Sequence, residues 1–176
     1  MTEISTLVRP SEDQDAAAIA GIYSHHVLQG SASFETNPPG RKEMARRRAA
    51  LLGRGMPYIV AERDGQVVGF AYAAPYHERP AYRSTVEDSL YVRADSMGMG
   101  IGRMLLSTLI SDCKNLGFRQ MVALIGDSDN AASIRLHESM GFRRVGTLRS
   151  VGFKFGRWLD VVQMQRELGT GDRTAP

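Results

Sequence analysis

Ser96–Ile110 reads SMGMGIGRMLLSTLI, and three of its residues within a span of five, Gly98, Gly100 and Gly102, are glycine. They lead straight into an apolar run, where each glycine lowers helix stability by about 1 kcal/mol relative to alanine. A helix start this bare points to something that must approach the backbone. The segment before it, TVEDSLYV (Thr85–Val92), reads as a strand. A strand that ends in a glycine turn at a helix start makes an anion site. The first amide N–H groups of a helix have no internal partner, the helix dipole adds positive potential, and a missing Cβ lets a phosphate come close. A tight strand-to-helix turn without a ligand is the alternative reading. Two well-known phosphate loops are excluded. GxxxxGK[ST] needs a lysine where Arg103 follows Gly102; GxGxxG fails because Arg103 or Leu105 stands at its last glycine.

Outward from this stretch the pattern alternates between strands and helices. A strand is expected at Ile4–Arg9, then a helix capped by Ser11 or Asp13 and running to about Leu28, with Ala16, Ile19, Ala20, Tyr23 and Val27 at helical spacing. Gly30–Gly40 is a loop by composition, and Arg41–Leu52 a second helix ended by Gly53. Met56–Tyr76 reads as a hairpin turned at Asp64-Gly65. The HERPAYRS loop (His77–Ser84) precedes Thr85–Val92. The glycine-led helix spans Ile101–Leu116 and stops at Gly117. RQMVALIG is a strand, Asp129 or Asn130 caps a helix through Met140, Gly141 stops it, and FRRVGTLRS and WLDVVQMQREL close the sheet. The order β-α-α-β-β-β-α-β-α-β-β implies one parallel pair around residues 85–125 and antiparallel pairing elsewhere: an α/β (α+β) domain with a mixed, mostly antiparallel sheet of six to seven strands and four helices. The domain is expected over residues 1–168, with a frayed tail, GTGDRTAP, over 169–176.

Composition bounds the function. With 43% apolar and 23% charged residues the 176-residue chain is that of an ordinary soluble domain. It has no apolar run long enough for a membrane helix, and its N-terminus lacks the basic-then-apolar pattern of a signal peptide. The single cysteine, Cys113, forms no intrachain disulfide, which agrees with a cytoplasmic setting. Net charge is +3, but the one dense basic run, Arg46–Arg48, reads as the solvated face of a helix. No aromatic platform or arginine-rich recognition helix points to nucleic acid. No metal constellation appears: His25 and His26 diverge on their helix and His77 has no partner at ligand spacing.

LYVRADSMGMGIGRMLL resembles the pyrophosphate-binding loop of the GNAT superfamily of N-acetyltransferases, [QR]-x-x-G-x-[GA], with Met97 where Gln or Arg is usual. DNAASIRLHESMGF resembles the superfamily's N-x-x-[AS]-x-x-[LF]-[YH]-x-x-x-G-F helix. SFETNPP, RPAYRSTVEDSLYV, RLHESMGF and VGFKFGRWLDV resemble segments of the phosphinothricin and methionine sulfoximine acetyltransferases. The resemblance covers about residues 4–168. It implies a single GNAT-type domain with a splayed central parallel pair, acetyl-CoA as co-substrate, no metal, an amino-acid-like small molecule as acceptor, and a homodimer.

The resemblance assigns the pyrophosphate to the backbone of Met97, Gly98, Met99, Gly100, Ile101, Gly102 and Arg103, and further cofactor contacts to Asn130 and Ser133. The strand residues Leu90, Tyr91 and Val92 are to offer backbone N–H groups to the thioester carbonyl and the pantetheine arm. Acetyl transfer to an amine needs a base, because an ammonium cannot attack a thioester. Glu87 and Asp88 alternate in a strand, so only one is expected to face the site; the T-x-E match chooses Glu87 as base. His137 stands where many relatives carry a tyrosine, and either protonates the CoA thiolate or holds the cofactor sulfur. Arg79 and Tyr82 match R-x-x-Y of the subgroup and, with Arg83, are to take the substrate carboxylate and head group. Phe34, Glu35, His77, Thr85, Val86 and Lys154 complete the substrate set, with the Gly152–Asp160 segment as pocket wall and dimer contact. Cys113 lies mid-helix and is set aside as a nucleophile, which favours direct attack in a ternary complex. The alternatives are acetylation of another amine, such as a protein N-terminus or polyamine, and a non-catalytic acyl-CoA sensor.

Overall fold

Asp64 (φ 51°) and Gly65 (φ 71°) both adopt the left-handed conformation, the signature of the tightest hairpin turn. They join β2 (Tyr58–Arg63) to β3 (Gln66–Pro75) in a computed structural model that describes residues 5–176. The remaining elements are β1 (Thr6–Pro10), α1 (Ala16–Gln29), α2 (Arg41–Gly53), β4 (Thr85–Val92), α3 (Ile101–Asn115), β5 (Gln120–Gly126), α4 (Ala131–Ser139), β6 (Arg143–Lys154) and β7 (Arg157–Glu167). Ile4, the expected start of the first strand, lies outside the described residues.

One sheet runs β1-β2-β3-β4-β5-β7-β6. Every neighbouring pair is antiparallel except β4–β5. That parallel pair is joined through α3, as a parallel crossover requires. It is also short. Pairing runs from Thr85↔Gln120 to Asp88↔Ala123 and stops. β4 continues along β3 to Val92, and β5 continues along β7 to Gly126. The two strands therefore part beyond Asp88 and leave a wedge-shaped opening in the middle of the sheet.

Each face of the sheet has its own core. On one, Ile101, Leu105, Leu106 and Leu109 of α3 pack on Ala71, Ala73, Val86 and Met121. On the other, Ile19, Tyr23 and Val27 of α1 and Met44 of α2 pack on Tyr58, Val60, Phe70 and Tyr91. Each of these large side chains, once buried, contributes about 1.5–3 kcal/mol.

Three local expectations change. Neither Ser11 nor Asp13 caps the first helix. Glu12 caps a short 3-10 turn, its N–H donating to Asp15 Oδ2 (2.7 Å), and α1 follows. Ser11 and Asp13 are engaged by Arg48, which donates to Ser11 Oγ (2.7 Å) and Asp13 Oδ1 (2.6 Å). Consequently the Arg46–Arg48 run is not a solvated face: Arg48 is buried, and Arg47 pairs with Glu35 and Glu43. Finally, residues 169–172 form turns and 173–174 bends, with Arg119 donating to Thr174 Oγ1 (2.9 Å) and Ala175 O (3.0 Å).

β6 extends beyond the expected strand, to Lys154, and turns into β7 at Phe155-Gly156, both at positive φ. This hairpin is apolar on its outside: Val151, Phe153, Phe155 and Trp158 are all more than half exposed (53%, 59%, 56% and 62%).

Candidate active site

Ladder parity fixes what the wedge between β4 and β5 offers. Arg93 N–H donates to Val68 O, and Tyr76 N–H donates to Thr85 O. The odd-numbered residues of β4 therefore turn their backbone groups to β3, and the even-numbered ones face β5. Past Asp88 there is no β5 to meet them. Val92 O receives the His26 ring (Nε2, 2.8 Å), while the Leu90 N–H and C=O and the Val92 N–H open into the wedge. Tyr91, expected to offer its amide here, turns it to β3 instead and buries its ring against Tyr23 and Phe70. Besides these strands the wedge is lined by Ala32, Asn130, Ser133 and His137.

The glycine loop stands at the wide end of the wedge. Gly98 (φ 76°) and Gly100 (φ 81°) hold left-handed backbone that a side chain would strain. The first helical bond of α3 is Met104 N–H to Gly100 O (3.1 Å). The amides of Ile101, Gly102 and Arg103 thus have no helical partner, and no acidic side chain occupies the first turn. Gly102 serves a different end. A Cβ there would meet Leu136 at 3.2 Å and Leu90 at 3.7 Å, so its bareness lets α3, α4 and β4 pack closely. Met97 and Met99 are about half exposed, and Met99 Sδ accepts from Arg63 (2.9 Å). Arg103 turns toward the C-terminal end of α4, donating to Ser139 Oγ (3.0 Å). Asn130 caps α4, its Oδ1 accepting from Ser133 N–H (3.3 Å). A partnerless strand edge leading to a bare, uncharged helix start fits an extended ligand with an anionic end.

Glu87 and Asp88 sit on the last paired rungs before the wedge. Glu87 shares a face with Ser89, Tyr91 and the cross-strand Tyr72. Burial, and secondarily the neighbouring Asp88, push its carboxyl above the usual carboxylate range. Asp88 turns to the α3/α4 face and is buried. Its Oδ2 lies 3.0 Å from His137 Nε2, and its Oδ1 is buried with no hydrogen-bond partner among the described residues. His137 Nδ1 lies 2.8 Å from Ser133 O, and its ring stands edge-on to Phe142 (5.0 Å). Burial opposes charging this ring, but the Asp88 carboxylate and the Ser133 carbonyl outweigh it and raise its pKa. Of the two carboxylates it is Asp88 that lines the wedge, beside His137; Glu87, the expected base, stands one rung earlier on the other face of β4.

The expected substrate residues divide into groups. Phe34 lies over the wedge end, its ring where a Cβ on Gly126 or Gly152 would come within 3.0 Å or 2.3 Å. Glu35 accepts from Arg47 (2.6 Å) and from Tyr23 Oη (2.8 Å) on the Glu87 face; Arg47 above all holds its carboxyl low. His77 stacks on Tyr82 (5.0 Å), and with Arg79 and Arg83 both lie on the exposed loop before β4. Thr85 shares the Glu87 face. Val86 is on the other face, wholly buried in the α3 core, so its side chain is unavailable to a substrate. Lys154 is also committed elsewhere: its Nζ donates to Gly30 O (2.9 Å) and Ser33 O (2.6 Å), tying down the loop that carries Phe34 and Glu35. Cys113 is buried in α3, its thiol pushed up to about 12 by burial. Asp88 is weighed against Glu87 in the sequence and set aside, and His26, Arg47 and Tyr72 have no place in the expected site; only the pairing of strands and loops brings them to it.

The Acetyltransferase (GNAT) family model matches residues 16–142. The chain belongs to the GNAT acetyltransferase family. It is 54% identical over 169 residues to phosphinothricin N-acetyltransferase of Alcaligenes faecalis, covering 96% of this chain and 86% of that one. It is 40% identical over 161 residues to the L-methionine sulfoximine/L-methionine sulfone acetyltransferase of Salmonella typhimurium, covering 92% and 94%. The crystal structure of a phosphinothricin acetyltransferase from Sinorhizobium meliloti in complex with AcCoA superposes with a TM-score of 0.95 at 45% identity, covering 97% and 92%. This GNAT enzyme therefore uses acetyl-CoA. No helix among the described residues is long and apolar enough to cross a membrane.

Proposed function

We propose that this GNAT enzyme N-acetylates small amino-acid analogues of the phosphinothricin and methionine sulfoximine type by direct attack in a ternary complex. The observation that carries the reading is the placement of Glu87 and His137 on opposite faces of β4 beside the gap in the sheet. Acetyl-CoA supplies the activated acyl group. The chain's own residues then divide the work. The amides of the Gly98–Arg103 turn hold the pyrophosphate, and the Leu90 and Val92 backbone groups hold the pantetheine arm and the thioester carbonyl. Glu87 takes the proton of the incoming ammonium. Its raised pKa makes it a better base than a free carboxylate. His137 stands on the far side, where it stabilises the departing sulfur. The amine approaches from the face of Glu87, Tyr72 and Glu35, under Phe34, and Arg79, Tyr82 and Arg83 receive the acceptor's carboxylate and head group from the loop before β4.

Exposed Val151, Phe153, Phe155 and Trp158 support a homodimer through the β6–β7 hairpin, because so large an apolar patch is seldom left to water. The enzyme works in the cytoplasm, as its single thiol agrees with, on a free small molecule and without nucleic acid or membrane. Residues 1–168 form the catalytic domain and 169–176 its appendage. The openness of the Arg79–Arg83 loop favours a second reading, acetylation of a larger amine such as a peptide N-terminus. Mass spectrometry of products from acetyl-CoA with phosphinothricin, methionine sulfoximine, methionine sulfone, peptides and polyamines separates the two. N-acetyl product from the first three supports the reading; product from peptides or polyamines alone overturns it.

A further inference from the structure

His137 is locked between two acceptors. The Ser133 carbonyl (2.8 Å from Nδ1) can only accept, so Nδ1 carries a hydrogen. Nε2 then faces Asp88 Oδ2 at 3.0 Å. A neutral ring with its hydrogen on Nδ1 would set a lone pair against a carboxylate oxygen. The contact therefore needs one further proton, held between the ring and Asp88. Both side chains are nearly sealed from solvent, at 4% and 2% exposure, so water cannot screen the contact. Asp88 Oδ1 is buried without a partner among the described residues, and no arginine or lysine competes for the carboxylate.

We propose that Asp88 is a positioning residue that keeps His137 doubly protonated, so that a fixed positive charge stands at the base of the wedge, where the sulfur departs. The inference rests on the acetyl-transfer reading above. As the C–S bond breaks, the electron pair goes to sulfur as a thiolate; the ring keeps both hydrogens, its charge stabilises that thiolate, and solvent protonates the sulfur as CoA leaves. Asp88 touches neither substrate and acts through the ring.

The groups that face this pair from every packed element are few. From α3 comes the neutral Cys113, with Asp112 beside it; from β4, Glu87 on the opposite face; from α4, the Ser133 carbonyl and hydroxyl; after α4, the uncharged Phe142 ring. None of them is a cation, so the ring itself is the charge that Asp88 meets. The raised pKa of His137 agrees with this arrangement.

The test is nitrogen NMR of the histidine rings in substrate-free protein at pH about 7.5, a unit above the ordinary imidazole value. The signal is assigned with His137→Gln. Two protonated ring nitrogens in the wild type and one in Asp88→Asn are expected. A singly protonated His137 in the wild type, or a doubly protonated one that persists in Asp88→Asn, overturns the proposal. If Asp88→Asn does not fold, the wild-type spectrum decides alone. In turnover, Asp88→Asn should lower kcat several-fold more in mildly alkaline solution than in mildly acidic solution, where the ring is protonated without help, with acetyl-CoA KM little changed. A uniform loss in both solutions overturns the proposal. Because the spectra need no substrate, absence of turnover on any amine overturns the acetyl-transfer reading without touching this measurement.

Discussion

Glu87 and Asp88 are neighbours in β4, yet their carboxyls lie on opposite faces of the sheet, one toward Tyr72 and the other 3.0 Å from His137. Pairing with β5 ends at Asp88. Glu87 therefore stands on one side of the sheet and His137 on the other where the pairing ends. This two-sided arrangement comes from strand alternation and an unpaired rung.

Glu87→Gln should reduce kcat by at least about 100-fold, the usual contribution of a general base, and leave acetyl-CoA KM nearly unchanged. A base must be ionised to work, and burial raises the Glu87 pKa above the ordinary value. Wild-type activity should therefore fall as pH drops through that raised value. The acidic limb should be absent from the residual activity of Glu87→Gln. Rate profiles for the two proteins check this.

Gly100→Ala should raise acetyl-CoA KM while leaving amine KM unchanged, because φ is 81° and any Cβ there costs about 1–2 kcal/mol of strain in the amide cradle. Gly102→Ala, at ordinary φ, presses a methyl against Leu136 at 3.2 Å and should show mainly in thermal stability. Steady-state kinetics beside melting curves separate the two effects.

Lys154→Met should leave the Gly30 and Ser33 carbonyls without their donor. The expected loss is about 1–3 kcal/mol per stranded group. Because that loop carries Phe34 and Glu35, amine KM should rise more than acetyl-CoA KM. Denaturant titration and kinetics read both outcomes.

Trp158→Glu with Phe153→Glu should abolish self-association, since both rings face outward on the β6–β7 hairpin, packed on each other at 5.2 Å. Sedimentation velocity should show a dimer for the wild type and a monomer for the double variant.

The His137–Asp88 pair also predicts how stability varies with pH. A histidine pKa raised by folding adds stability that is complete below the unfolded value near ~6.5 and is lost as pH rises through the folded value. The advantage of wild type over Asp88→Asn in melting temperature should therefore be largest in mild acid and shrink in mild alkali.

The fold was legible where local chemistry is strong. Asp64-Gly65 announced its hairpin, Gly117 and Gly141 end their helices at positive φ as expected, and the strand–glycine–helix order gave the parallel pair. The site was legible in part. Glu87 and His137 lie in motifs, but Asp88 was set aside because alternation makes it face away; the gap in the sheet is a property of pairing, which no single strand's sequence carries. Arg48 looked like surface because a run of three arginines usually is; its burial depends on Ser11 and Asp13, some 35 residues distant. Lys154 looked like a ligand group because its motif surrounds the pocket, and only the folded loop reveals the carbonyls it holds.

The most direct test is thiol release from acetyl-CoA with methionine sulfoximine or phosphinothricin, measured for the wild type beside Glu87→Gln. Rapid release by the wild type, lost in Glu87→Gln while acetyl-CoA still binds, is the predicted result. No release by the wild type with either amine, with acetyl-CoA binding intact, would contradict the account and leave a protein that binds the acyl donor without transferring it.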